Sequence, residues 1–229
     1  MVLAAGAAVV VLTVVAGPTI LDNLGGLFGP QPGGPGPSSG EPQVWDPAFE
    51  FRDSPNEANP SPDRYGNDGV WSYLRSASDA HDPATYSLLP DSEVVNGNAM
   101  IWYEAQLFSL QVRHMTDLDN IYFHPWSDGD RSYNHHAILA WQSPVTGLVT
   151  VTGIVVHEEP TCVAGRTDGT TLFVDKESTT VQSITLRPGG RGAVSATIDI
   201  RAGESIYFVV DPGYASNCDT TYLHVQISH

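Results

Sequence analysis

Four histidines, His114, His124, His135 and His136, fall close to Asp117, Asp119, Asp128 and Asp130. Imidazole and carboxylate are the ligands of zinc and similar divalent ions, so this density suits a metal centre, and a metal-dependent hydrolase would draw on it. The spacing points the other way. Adjacent His135 and His136 project to opposite faces of an extended chain, so at most one of them serves a given pocket. Asp128, Gly129 and Asp130 offer two oxygen ligands, whereas calcium takes roughly six to eight, and no EF-hand spacing follows. A turn in which aspartates bond backbone amides accounts for them as well. Glu158 and Glu159 diverge if they lie on a strand and cannot flank one glycosidic bond. No Gly-x-Ser-x-Gly elbow and no phosphate-binding glycine loop is present. The expectation is a protein that is not an enzyme, with no catalytic residue, no metal and no cofactor.

Aromatic residues are the better clue. Trp102, Tyr103, Trp126, Tyr133 and Tyr214 fall in or beside expected loops, where flat rings can stack on sugar faces while neighbouring Asn, Asp and His bond hydroxyls. Trp126 and Tyr133 bracket residues 127–132, and His135 follows. Trp126, Tyr133, His135, Trp102, Tyr103 and Tyr214 are therefore the candidate ligand-binding residues. Trp71 and Trp141 sit in apolar runs and read as core.

Cys162 and Cys218 are the only cysteines. In a chain that leaves the cytoplasm, an even pair most simply means one disulfide, the alternative being two buried thiols. Neither has a second cysteine at zinc-ligand spacing.

The elements that must position these residues are strands. Val194, Ala196, Ile198 and Ile200 share one face and Ser195, Thr197 and Asp199 the other; Leu223, Val225 and Ile227 alternate with Tyr222, His224 and Gln226. The same period of two runs through Ala137, Leu139 and Trp141, through Val149, Val151, Gly153 and Val155, and through Ile206, Phe208 and Val210. One apolar and one wet face per strand is the pattern of antiparallel sheets packed face to face. Turn residues separate the runs: Pro144 with Gly147, Asp168 with Gly169, Pro188 to Gly192, and Ala202 with Gly203. Helical periodicity is not sustained after the N-terminal segment. Between Ser76 and Asn98 the pattern breaks into loops around a short strand near Tyr86 to Leu89.

Residues 1–21 carry no charge and are dominated by Ala, Val and Leu. About 20 apolar residues can cross a bilayer, and a signal-peptide core is shorter, so residues 1–28 are expected to form an apolar helix that is a transmembrane anchor or a signal segment. No Lys or Arg precedes it, and the first basic residue is Arg52. Residues 29–43 are nearly all Gly, Pro, Ser and Gln, a linker composition. Residues 44–229 are expected to be the extracytoplasmic domain. The net charge of −16 repels phosphate backbones and anionic headgroups, which argues against a nucleic-acid partner and leaves the N-terminal segment as the contact with membrane.

A family resemblance rests on several boxes in order. Asn67, Asp68, Gly69, Val70, Trp71, Ser72 and Tyr73 resemble the N-x-G-V-W-S-Y box that opens a jelly-roll module of bacterial secreted and surface proteins. Phe123, His124 and Pro125 resemble its h-H-P element, Leu139 to Pro144 with Gly147 its R-W-T-A-P-x-x-G hairpin, Ala202, Gly203 and Glu204 with Ile206 to Val210 its A-G-D-x-I-x-F-V-V strand, and Asp219, Thr220 and Thr221 the start of its last strand. Ala140 stands where that hairpin commonly has Arg, and the cysteine pair and the segment around 76–98 are peculiar to this chain. The resemblance implies an all-β, antiparallel jelly-roll-like β-sandwich of the carbohydrate-binding-module type. The expected role is a non-catalytic surface module gripping a carbohydrate or cell-wall component, membrane-anchored, or secreted if the leader is cleaved. A structural or protein-interaction ectodomain without a small ligand is the other class to weigh, and it would present a contiguous apolar patch.

Overall fold

The alternating runs resolve, in a computed structural model, into two facing antiparallel sheets. The structure describes residues 42–53, 58–76, 78, 80–95, 99–107, 110–115, 119–127, 135–158, 168–214 and 216–229. The expected N-terminal helix and most of the linker lie outside them. Among the described residues no helix is long and apolar enough to cross a membrane.

The chain opens with β1 (Val44–Trp45) and a short helix, α1 (Pro47–Asp53), followed by β2 (Trp71–Ser76), β3 (Tyr86–Leu88), β4 (Asp91–Val95), β5 (Ala99–Tyr103), β6 (Gln111–Met115) and β7 (Ile121–His124). It continues through β8 (Ala137–Gln142), β9 (Gly147–His157), β10 (Thr170–Lys176), β11 (Thr179–Leu186), β12 (Arg191–Ile200), β13 (Ser205–Asp211) and β14 (Thr221–Ser228). The first sheet has the order β12-β9-β14-β7-β6-β5-β4, with β1 paired to the end of β14, and the second the order β11-β10-β13-β8-β2-β3. From β8 onward the chain crosses repeatedly between the sheets, as a jelly-roll-like sandwich requires.

The core lies between the inner faces, as the periodicity demands. Val194, Ile198, Ile200, Leu223, Val225 and Ile227 from the first sheet meet Leu172, Val174, Ile206, Phe208, Leu139 and Trp141 from the second. Trp45, Trp71, Trp102 and Trp141 are among its largest fully buried side chains. Two indoles bring a polar handle that must be satisfied once buried. Trp45 Nε1 donates to Asp63 Oδ2 at 2.8 Å, and Trp71 Nε1 donates to Glu50 Oε2 at 2.9 Å. The box from Asn67 to Tyr73 is therefore architecture: it starts β2, and its Asn67 amide donates to the same Asp63 carboxylate.

Three elements differ from the sequence expectation: α1, β4 and β5, the last of which holds Trp102 and Tyr103 in a strand where a loop is expected. Helix α1 was not foreseen because it is shorter than two full turns, too short for a hydrophobic period. Its start is nonetheless marked by Asp46 and Pro47: the Asp46 carboxylate accepts the Phe49 N–H at 3.0 Å and Pro47 occupies the first helical position. Strand β4 lies within the segment read as loops, and its Ser92, Glu93 and Val94 are exposed on a sheet edge, which leaves no apolar alternation to see.

Strand β8 is buried on both faces. Its outward Ile138 and Ala140 join Leu74 and Val209 in a second apolar cluster on the outside of the second sheet, flanked by Tyr86, Phe173 and Tyr207. Ala140 is thus under cover.

Candidate ligand-binding site

Register places one set of loops at a common end of the sandwich. His124 closes β7 and Thr221 opens β14, paired one residue away at Phe123; Thr221 also pairs with His157, the last residue of β9. Thr171 at the start of β10 pairs with Asp211 at the end of β13. Thr170 at the start of β10 and Thr221 at the start of β14 bring the two sheets together at this end, their hydroxyl oxygens 3.1 Å apart.

Trp126 and His135 face each other across the base of the β7–β8 loop. Their backbones exchange both hydrogen bonds, Trp126 N to His135 O at 3.0 Å and His135 N to Trp126 O at 2.8 Å, and their rings lie 5.5 Å apart at 55°. Trp126 rests one face on the core and remains half-buried. The next residue reaches the β13–β14 loop: Ser127 Oγ donates to Tyr214 O at 3.3 Å, and Ser216 Oγ donates to Ser127 O at 3.2 Å. Tyr214 is 57% exposed.

The Tyr214 loop is itself held from two sides. Asp211 Oδ1 accepts the Gly213 N–H at 2.7 Å, and Asp168 Oδ2 accepts the Tyr214 N–H at 2.9 Å. Gly213 has φ of 67°, and a Cβ there would come within 2.7 Å of the Asp168 carboxylate, so glycine is needed for both the backbone and the close approach. The sequence offered Asp168 as half of a turn; its carboxylate acts instead as a strut for an exposed aromatic.

The other candidates divide. Tyr103 ends β5 and sits in a row with Gln111 and His124, about 10 Å from His124 across two strand spacings. Trp102 does not belong to the site. It is 1% exposed and turned into the core, because β5 is a strand and not a loop. Tyr133 lies outside the described residues, as does Cys162.

The histidines do not converge. His114 packs inside the sandwich with its ring 4.5 Å from Phe51, His124 Nδ1 contacts Pro125 O, and buried His136 lies 3.9 Å from Asp211 Oδ1. Among the described residues no group of three or more His, Cys, Asp and Glu could hold a metal ion. Glu158 continues the β9 edge through its N–H to Thr220 O; Glu159, Asp128 and Asp130 are outside the described residues. Exposed large apolar residues, Leu88, Val94, Leu148, Ile154 and Val181, are spread over five positions on four strands.

No family model and no curated protein matches the sequence. Solved structures with a similar arrangement include the C-terminal CBM6 of LamC from Zobellia galactanivorans, with 10% identity over 47% of this chain and 90% of that chain and a TM-score of 0.27. The CBM51 of a Clostridium perfringens GH95, in complex with methyl-galactose, has 9% identity over 69% of this chain and 81% of that one, with a TM-score of 0.33. The K2 cleaved adhesin domain of Lys-gingipain has 11% identity over 82% and 97%, with a TM-score of 0.35. Carbohydrate-binding modules thus stand among the structural neighbours. At these identities and scores they assign no site and no ligand to this chain.

Proposed function

We propose that this protein is a non-catalytic, extracytoplasmic β-sandwich module that binds a carbohydrate or cell-wall component at the loop end carrying Trp126, His135 and Tyr214. The observation that carries the reading is the coupling of the Trp126–His135 ring pair, through Ser127, to an exposed Tyr214 braced by Asp168. Two aromatic faces bordered by hydroxyl and carboxylate groups match a sugar, whose ring presents C–H faces and a rim of hydroxyls. Residues 1–28 would hold the module at a membrane or direct its export, and the −16 charge favours uncharged over anionic polymers.

The test is binding of the full chain to a glycan array and to insoluble cell-wall polysaccharides. Tyr214→Ala, at an exposed position, and Trp126→Ala should each weaken retention by roughly tenfold, the scale of one lost stacking contact. Retention unchanged in both variants, or no retained polysaccharide at all, removes the reading.

A further inference from the structure

Strand register lines up one row of side chains across the outer face of the first sheet. Ile101 of β5 pairs with Arg113 of β6, Arg113 with Tyr122 of β7, and Tyr122 with Tyr222 of β14. Their neighbours Val112, Ile121, Phe123 and Leu223 belong to the core, so this row projects the other way. The Arg113 guanidinium stands 4.7 Å from the centroid of the Tyr122 ring, and the Tyr222 ring meets Tyr122 at 3.9 Å and 63°. Arg113 and Tyr222 are partly exposed, so the row is an open surface and a ligand needs no passage to reach it.

Arg113 is held in place and left unpaired. Its Nε is buried without a hydrogen-bond partner, which seals that edge of the guanidinium against the sheet. Its two terminal nitrogens carry neither a hydrogen bond nor a carboxylate among the described residues. Arg52, Arg75 and Lys176 of the same acidic chain each hold a carboxylate. Glu93, exposed at the β4 end of the row, is two strand spacings from Arg113, about 10 Å. Stacking on Tyr122 explains where the cation sits and leaves its outward N–H groups idle. Those groups form a planar fork that matches a carboxylate. Tyr103 and Gln111, paired one step nearer the loop end, are partly exposed like Tyr222, and no hydrogen bond within the fold engages these three side chains. A simple carboxylate would use the fork alone, and a neutral sugar would leave the charge unanswered. An acidic sugar uses both, its carboxylate on Arg113 and its hydroxyls on the amide and the phenols.

We propose that Arg113, Tyr222, Gln111 and Tyr103 form a second binding site, which takes the carboxylate of a single uronic acid unit on the outer face of the first sheet. The net charge of −16 repels long anionic chains at a distance, so the site accepts one acidic unit and not a polyanion. It is independent of the loop end, where the Trp126 ring packs against the core.

Saturation-transfer NMR titrations of the full chain with methyl glucuronide, methyl glucoside and glucose 6-phosphate test this. Methyl glucuronide should bind at least about tenfold more tightly than the other two, and equally well in Trp126→Ala. Its affinity should fall by about tenfold in Arg113→Lys, which keeps the charge and the aliphatic stem but loses the fork, and the binding should disappear in Arg113→Gln. Arg113→Lys decides the matter if Arg113→Gln does not fold. Glucuronide binding that is unchanged in Arg113→Lys, or lost in Trp126→Ala, overturns the site. So does equal binding of the glucuronide and the glucoside, or no transfer to the glucuronide in the parent protein. Glucose 6-phosphate binding as tightly as the glucuronide would reduce Arg113 to a plain anion contact and overturn the assignment to a sugar acid.

Discussion

Tyr73 and Trp102 stack face to face across the core, with ring centroids 3.6 Å apart and planes inclined by 7°. Phe51 from α1 adds an edge contact to the same indole at 5.2 Å. Trp102 thus joins β2, β5 and α1, and truncating it leaves a large cavity among three elements. Trp102→Ala should cost about 3–5 kcal/mol and lower the melting temperature by roughly 10 °C. Calorimetry reads this. A variant that melts with the parent but loses glycan retention would return Trp102 to the binding site.

How much of this was legible follows from where water touches the chain. Strands β12 and β14 were readable because Ser195, Thr197 and Asp199, or Tyr222, His224 and Gln226, break the apolar run at every second residue. Strand β5 hid itself: Ala99, Met100, Ile101 and Trp102 are all buried, and without a wet face its tryptophan looks like a loop aromatic. The site was legible as residue types and not as a constellation. Trp126 and His135 are close in sequence, but Ser127 and Tyr214 meet only through the pairing of β7 with β14 and of β10 with β13.

Glu50 gives the fold a pH dependence of unusual sign. Its carboxyl is pushed up to about 7, chiefly by burial, with the Trp71 and Asp46 hydrogen bonds opposing and the Asp63 charge reinforcing. The folded protein then binds a proton that the unfolded chain releases near 4.5. Stability from this group is complete below pH 4.5 and is lost as pH rises toward 7, by up to about 3 kcal/mol. Urea unfolding at pH 5 and pH 8 should show this loss in the parent relative to Glu50→Gln, which has nothing to titrate. Parallel behaviour of the two proteins would refute it.

Gln182 closes a sheet edge. Its side-chain amide donates to Ala193 O at 3.0 Å and accepts the Ser195 N–H at 3.0 Å, so one residue of β11 occupies two outward backbone groups of the edge strand β12. Open edges recruit other strands. Gln182→Ala should lower stability by about 1 kcal/mol, since both bonds are exposed, and should raise light scattering on incubation below the melting temperature. Unchanged scattering would make the bridge purely local.

Cys218 adopts φ of 69°, a left-handed conformation that non-glycine residues rarely hold, immediately before fully buried Asp219. Asp219 Oδ1 lies 3.5 Å from Nε2 of His157, equally buried at the end of β9. A covalent tie is a reason for the chain to keep that conformation beside a buried polar pair, and Cys162 is the only other cysteine available to make it. Peptide mapping without reductant should recover Cys162 and Cys218 in one linked species, and reduction should destabilise the domain by roughly 4 kcal/mol. Reduction should also release the start of β14 before the core melts, read as hydrogen exchange at Tyr222 and Leu223 rising ahead of exchange at Phe208 and Val210. Recovery of both cysteines as free thiols from protein alkylated under non-reducing conditions would leave the Cys218 conformation to the His157–Asp219 pair alone.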